Sequence, residues 1–149
     1  MTTNSTNTFL PSSMVDKGYL SQVHWPGAHW FVRIPLALII GNQGYLKFID
    51  LAGGAEAYGF PIWMWALAAL AEVAAAAGLI VGGVVKSLNP SNRLLALFGD
   101  VVTRLSGFAT TAVVAAVIAI VYWGPWAGFQ LQLMLLAGGI FFMLRGNRT

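Results

Sequence analysis

From Phe60 to Val85 the chain is apolar but for one ionisable side chain, Glu72. A helix over that stretch is long enough to cross a bilayer, which takes about 20 residues. On such a helix the neighbours of Glu72 at three and four residues are Ala68, Ala69, Ala75 and Ala76. The carboxyl therefore lies on a stripe of small residues, which allows another helix to come close. A carboxyl at bilayer depth is costly and faces protein or water rather than lipid. The other apolar runs of the chain are read as supplying it with partners.

Composition points the same way. The chain has 149 residues, one domain by size, of which 58% are hydrophobic and 9% charged, with a mean hydropathy of +0.73. Soluble domains carry about 25% charge, so an integral membrane protein is expected. The net charge of +3 does not point to nucleic acid, because the basic residues are scattered and flank the apolar runs. The chain has no cysteine. That excludes disulfides, thiol redox motifs, iron–sulfur clusters held by thiolates and covalent c-type haem, and leaves noncovalent cofactors such as a quinone open.

Residues 1–27 form a polar leader without the basic start and apolar run of a signal peptide. His24 and His29 are five apart, poor spacing for one helical face, and no metal site is expected. The remaining 28–147 divide into four spans, at about 30–51, 60–85, 103–123 and 126–144. The first is polar for a span. Arg33, Ala37, Ile40, Gly44 and Lys47 share one face, Asn42 points away, and Lys47 and Asp50 are spaced to pair. Arg33 and Lys47 are long enough to snorkel to opposite surfaces. Ala52–Pro61 reads as a glycine-rich connection, and Ser91 as the cap of an amphipathic run over 94–105. That run is either a short surface helix or the lower part of the third span. Asp100 and Arg104, four apart, are spaced to pair.

Four spans place both termini and the 86–104 connection on one side. That side carries Lys17, Arg33, Lys86, Arg93, Arg104, Arg145 and Arg148, and the other only Lys47. Basic residues mark the cytoplasmic side. The expected fold is an all-α, up-down-up-down four-helix bundle in the cytoplasmic (inner) membrane, with both termini in the cytoplasm. Counting depth from each span's own end puts Gln43 closer to Glu72 than Lys47 is, with Thr110 and Ser106 approaching from the third span. A polar core of Gln43, Lys47, Glu72 and Thr110, with Ser106 at its edge, is the candidate binding site.

The run Arg33-Ile-Pro-Leu-Ala-Leu, then Gly44-Tyr-Leu-Lys47-Phe48, Gly59-Phe-Pro61, Ala71-Glu72 with Gly78 and Gly82, Thr103-Arg104-Leu105, Phe129-Gln130-Leu131 and Leu144-Arg-Gly146, resembles the DoxX-like membrane proteins over about 28–147. Arg33, Gly44, Lys47, Glu72 and Arg104 match characteristic positions. The resemblance implies a four-helix membrane fold and association with membrane redox systems. Many relatives carry histidine where this chain has Gln43, and a longer connection before the last span. The function expected is an accessory subunit of a larger membrane redox or electron-transfer complex, a photosynthetic one included, with a structural or quinone-access role. The alternatives are a quinone-interacting oxidoreductase subunit with Glu72 as its proton site, and a small transporter. A non-catalytic role is favoured over an enzyme's. The partners expected are the bilayer and other membrane subunits, and no nucleic acid.

Overall fold

A computed structural model describes residues 27–88, 91–121 and 126–147. Every regular element among them is a helix: α1 (Trp30–Ile49), α2 (Leu51–Ala57), α3 (Ile62–Ser87), α4 (Arg93–Ile120) and α5 (Trp126–Arg145). Most of the polar leader, with His24 and Lys17, lies outside the described residues, as do Trp123 and Arg148.

Local chemistry sets the boundaries. Asp50 leaves the helical region at φ −134°, ψ 76°, and its carboxylate accepts a 2.8 Å hydrogen bond from the Gly53 amide. That cap ends α1 at Ile49, short of the expected Leu51, and starts a second helix within the supposed glycine-rich connection. It also occupies Asp50, so the expected Lys47–Asp50 pair does not form. Pro61 leads into α3 from an extended conformation, which its fixed φ and missing N–H favour. The cap of α4 is Asn92 rather than Ser91, and its Oδ1 accepts from the Leu94 amide at 2.9 Å. From there one helix runs unbroken to Ile120. The amphipathic run over 94–105 is therefore the first part of α4 and not a separate surface helix.

Two helices, α3 at 26 residues and α4 at 28, are long and apolar enough to cross a membrane. Only 33% of the most apolar stretch of each is buried, so most of that surface faces outward. The apolar run of α5, Phe129–Arg145, is shorter. Leu38, Leu67, Phe108 and Met134 are among the large apolar side chains left exposed.

The long helices pack in sequence order, α1 on α3, α3 on α4 and α4 on α5, and α5 touches α1 lightly. Small residues set the spacing. Gly41 lies against Ala76, Gly78 against Ser106 and Gly82 against Thr103. Inside, Leu36, Ile40, Leu79, Val114, Ile118, Leu135 and Phe142 form the core. α1 meets α3 closely at Gly44, where a Cβ would stand 2.7 Å from the Ala69 carbonyl oxygen and 2.9 Å from Glu72 Cβ. Gly44→Leu is expected to push α1 from α3 and destabilise the protein by about 1–3 kcal/mol. Ala74→Leu, on the exposed face of α3, serves as the control. Thermal unfolding in detergent of both variants, with the control unchanged, checks this.

Candidate functional site

Gly44 brings α1 close enough for Lys47, in the last turn of α1, to reach Glu72, three turns into α3. Lys47 Nζ and Glu72 Oε1 form a direct ion pair. Glu72 is 1% exposed. The lysine is not a snorkelling anchor, and counting depth from each helix's own end misjudges the pair. α3 starts well beyond the end of α1, and the added length is flanked by α2, where Gly54 abuts the Trp65 indole and Tyr58 stacks on it at 5.3 Å. The Lys47 ammonium also lies 5.3 Å from the Trp65 ring, a distance at which a cation is drawn to the ring face.

Lys47 lines a cleft of about 540 Å³, and Glu72 lies outside the cleft's wall. Its walls come from α1, the α2–α3 corner, α3, the last turns of α4 and the start of α5, and are mainly apolar. Lys47, Gln43, Gln132 and Tyr58 bring polar groups to it, and Ala116, Val117 and Ile120 of α4 line it too. The remaining carboxylate oxygen, Glu72 Oε2, is buried with no partner, as is Gln132 Oε1.

The other sequence candidates are placed differently. Gln43 lines the cleft but makes no hydrogen bond to Glu72 among the described residues, so the longer lysine takes the role expected of it. Thr110 is fully buried with its hydroxyl unpartnered, and its methyl faces Gly139 of α5. Ser106 donates to the Val102 carbonyl of its own helix at 2.8 Å, a common way for an apolar helix to satisfy a hydroxyl. The expected polar core reduces to Lys47 and Glu72, with Gln43 at the cleft wall. Thr110 and Ser106 belong to helix contacts.

A second polar cluster lies at the opposite end, and sequence reasoning missed it. Arg33 does not snorkel. It is 0% exposed, donates to the Leu79 carbonyl at 2.7 Å and to Thr103 Oγ1 at 3.3 Å, and hydrogen-bonds Asn147 Oδ1. Its guanidinium carbon stands 4.6 Å from the Phe142 ring. Asn147 donates from Nδ2 to the Gly82 carbonyl at 2.9 Å and from its backbone to Asp100 at 2.7 Å. Asp100 also pairs with Arg104 at 2.8 Å, and Arg104 donates to the Leu144 carbonyl at 2.7 Å, covering the end of α5. Gly146, at φ +60°, turns the chain so that Asn147 points back inward. The sequence signal was the Arg145-Gly-Asn stop, which marks a helix end without telling where its asparagine lands.

The positions of the family resemblance thus fall into two groups: Gly44, Lys47 and Glu72 where α1 meets α3, Arg33 and Arg104 in the second cluster. Compared with protein-family models, curated proteins and solved structures, the chain finds no match.

Removing one partner of a buried ion pair leaves an uncompensated charge. Lys47→Met is expected to destabilise the protein by about 3–5 kcal/mol. Adding Glu72→Leu should recover most of that loss. Unfolding free energies of the two singles and the double measure the coupling, and additive losses would contradict a direct pair. At the other end, Asn147→Ala strands the Gly82 carbonyl and one edge of Arg33. It should lower the unfolding temperature more than Asn42→Ala, on the exposed face of α1.

Proposed function

We propose that this chain is an integral membrane protein of the cytoplasmic membrane, a four-helix up-down-up-down bundle with both termini in the cytoplasm. In this reading it is an accessory subunit of a larger membrane redox complex, and its cleft shapes the access of a quinone. The observation that carries the reading is the apolar cleft of about 540 Å³ with Lys47, itself paired with the buried Glu72, on its wall. A quinone needs apolar walls for its ring and tail and a donor for its carbonyl oxygen. Lys47 has N–H groups beyond the one given to Glu72, and the Gln43 amide stands on the same wall. Pockets for small organic ligands are commonly apolar with few polar groups that fix orientation.

Three features support the membrane part. The two longest helices have the length and apolarity of spans. Large apolar side chains cover the outer faces. Seven of the eight basic residues fall on the side assigned to the cytoplasm. Membership of the DoxX-like proteins is part of the same proposal and stands on the residues quoted above. A complex partner would supply electrons, since the chain lacks the cysteines that iron–sulfur and c-type haem carriers need.

A second reading, in which Glu72 handles protons at a quinone redox site, is favoured by one observation. Glu72 Oε2 is buried without a partner, and a carboxyl is a group able to exchange protons. Glu72→Gln separates the two readings, because it removes proton exchange and keeps the shape of the side chain.

Gentle detergent extraction followed by native electrophoresis is expected to place the chain in a band much larger than a monomer or homodimer. Ala116→Trp, which fills the cleft, is expected to raise the KM for quinone of that complex several-fold with assembly unchanged. Migration only as a free monomer or homodimer would sink the subunit reading, and an unchanged KM the quinone reading. Under the access role Glu72→Gln leaves turnover near normal, whereas under the proton role turnover falls by about 100-fold or more.

A further inference from the structure

Beside the Arg33 cluster, the start of α1 and the ends of α3 and α5 surround a second cavity, of about 180 Å³. Its wall carries His29 just before α1, Arg33 from α1, Lys86 from the last turn of α3 and Arg145 from the end of α5. Among the described residues, none that lines it is acidic. The salt bridges between described residues are Lys47–Glu72 and Arg104–Asp100, and among those residues no carboxylate pairs with Arg33 or Lys86. Arg33 is fully buried, and both its Nη groups are engaged in the protein interior, whereas its Nε has no partner. His29 Nδ1 is likewise buried and unpartnered. Burial, with Lys86 and Arg33 nearby, pushes the His29 imidazole down to about 4. At neutral pH it therefore adds hydrogen-bonding capacity without another positive charge.

Like charges gathered around a small cavity repel one another unless an anion joins them. The volume is several times the roughly 30 Å³ that a water takes in the liquid, which suits a phosphate-sized group. Arginine and lysine are the usual phosphate ligands, arginine through its planar fork and lysine as a point charge. Apolar surface adjoins the charges. Phe141 and Val32 line the cavity and are also exposed on the outer face, and Arg145 lies over Phe141 at 5.6 Å. A soluble anion would have no use for that surface, whereas a lipid would lay its acyl chains along it. Basic pockets between membrane helices on the cytoplasmic side bind anionic head groups in this way.

We propose that this cavity binds the phosphate of an anionic membrane lipid, through Arg33, Lys86 and Arg145, with the acyl chains against Val32 and Phe141. The inference rests on the membrane reading above and is independent of the quinone cleft.

The full chain, reconstituted into phosphatidylcholine vesicles with or without phosphatidylglycerol, tests it. Flotation with both kinds of vesicle is the check on the membrane reading, and failure to float overturns that reading rather than the site alone. Given flotation, native mass spectrometry should find phosphatidylglycerol retained over phosphatidylcholine, and phosphatidylglycerol should raise the unfolding temperature. Lys86→Gln with Arg145→Gln should lower retention by about tenfold or more, and Lys86→Gln alone by less. Arg93→Gln removes an exposed charge outside the cavity and should change nothing. Equal retention of the two lipids, or variants that retain phosphatidylglycerol like the parent, overturns the proposal. Stabilisation by inorganic phosphate alone in phosphatidylcholine vesicles would assign a soluble anion and overturn the lipid source.

Discussion

Arg33 keeps a charged guanidinium where its surface exposure is nil, and the arrangement of the long helices answers that burden. A buried charge must be met by hydrogen bonds or it costs several kcal/mol. The acceptors come from α3, through the Leu79 carbonyl, from α4, through Thr103, and from Asn147 just beyond α5. One side chain of α1 thereby ties three other segments together. Asn147 extends the network to the Gly82 carbonyl and to Asp100, and Asp100 to Arg104 and the end of α5. A network of this kind is directional, so it specifies relative helix position in a way that apolar contact alone does not.

The two ends of the molecule differ because their polar groups do different work. At the Arg33 end the donors and acceptors are shared among all four long helices, and the contacts are close. At the other end the Lys47–Glu72 pair joins only α1 and α3. There α1 meets α5 only lightly, and the space between them and the end of α4 is left as the apolar cleft. Tight polar closure at one end and an opening at the other follow from where the chain places its few ionisable groups. The small cavity rimmed by Lys86 and Arg145 stands beside the closed end.

Much of this was legible in the sequence. The inward face of α1 follows from spacing, since Arg33, Ala37, Ile40 and Gly44 recur at three- and four-residue intervals and are buried. The small-residue face around Glu72 follows for the same reason, and Ala69 and Ala75 are buried beside it. The Asp100–Arg104 pair is local, set by a single turn of helix. The failures were also physical. Asp50 satisfies a backbone amide three residues on, and that small competition both ends α1 and creates α2. Depth counted within each helix puts Lys47 too shallow for Glu72, whereas the overhang of α3 decides which residues stand level.

The sequence by itself determined the helical periodicity, the faces turned inward, the apolar length of α3 and α4 and the scarcity of charge. These depend on the order of side chains along one helix, which the chain carries directly. Only the tertiary structure decided which charges meet. Lys47 with Glu72, and Arg33 with Leu79, Thr103 and Asn147, are pairings between segments far apart in the chain. Their partners are fixed by the axial offset between helices, and that offset comes from the close approach at Gly44 and the turn at Gly146, neither of which periodicity encodes.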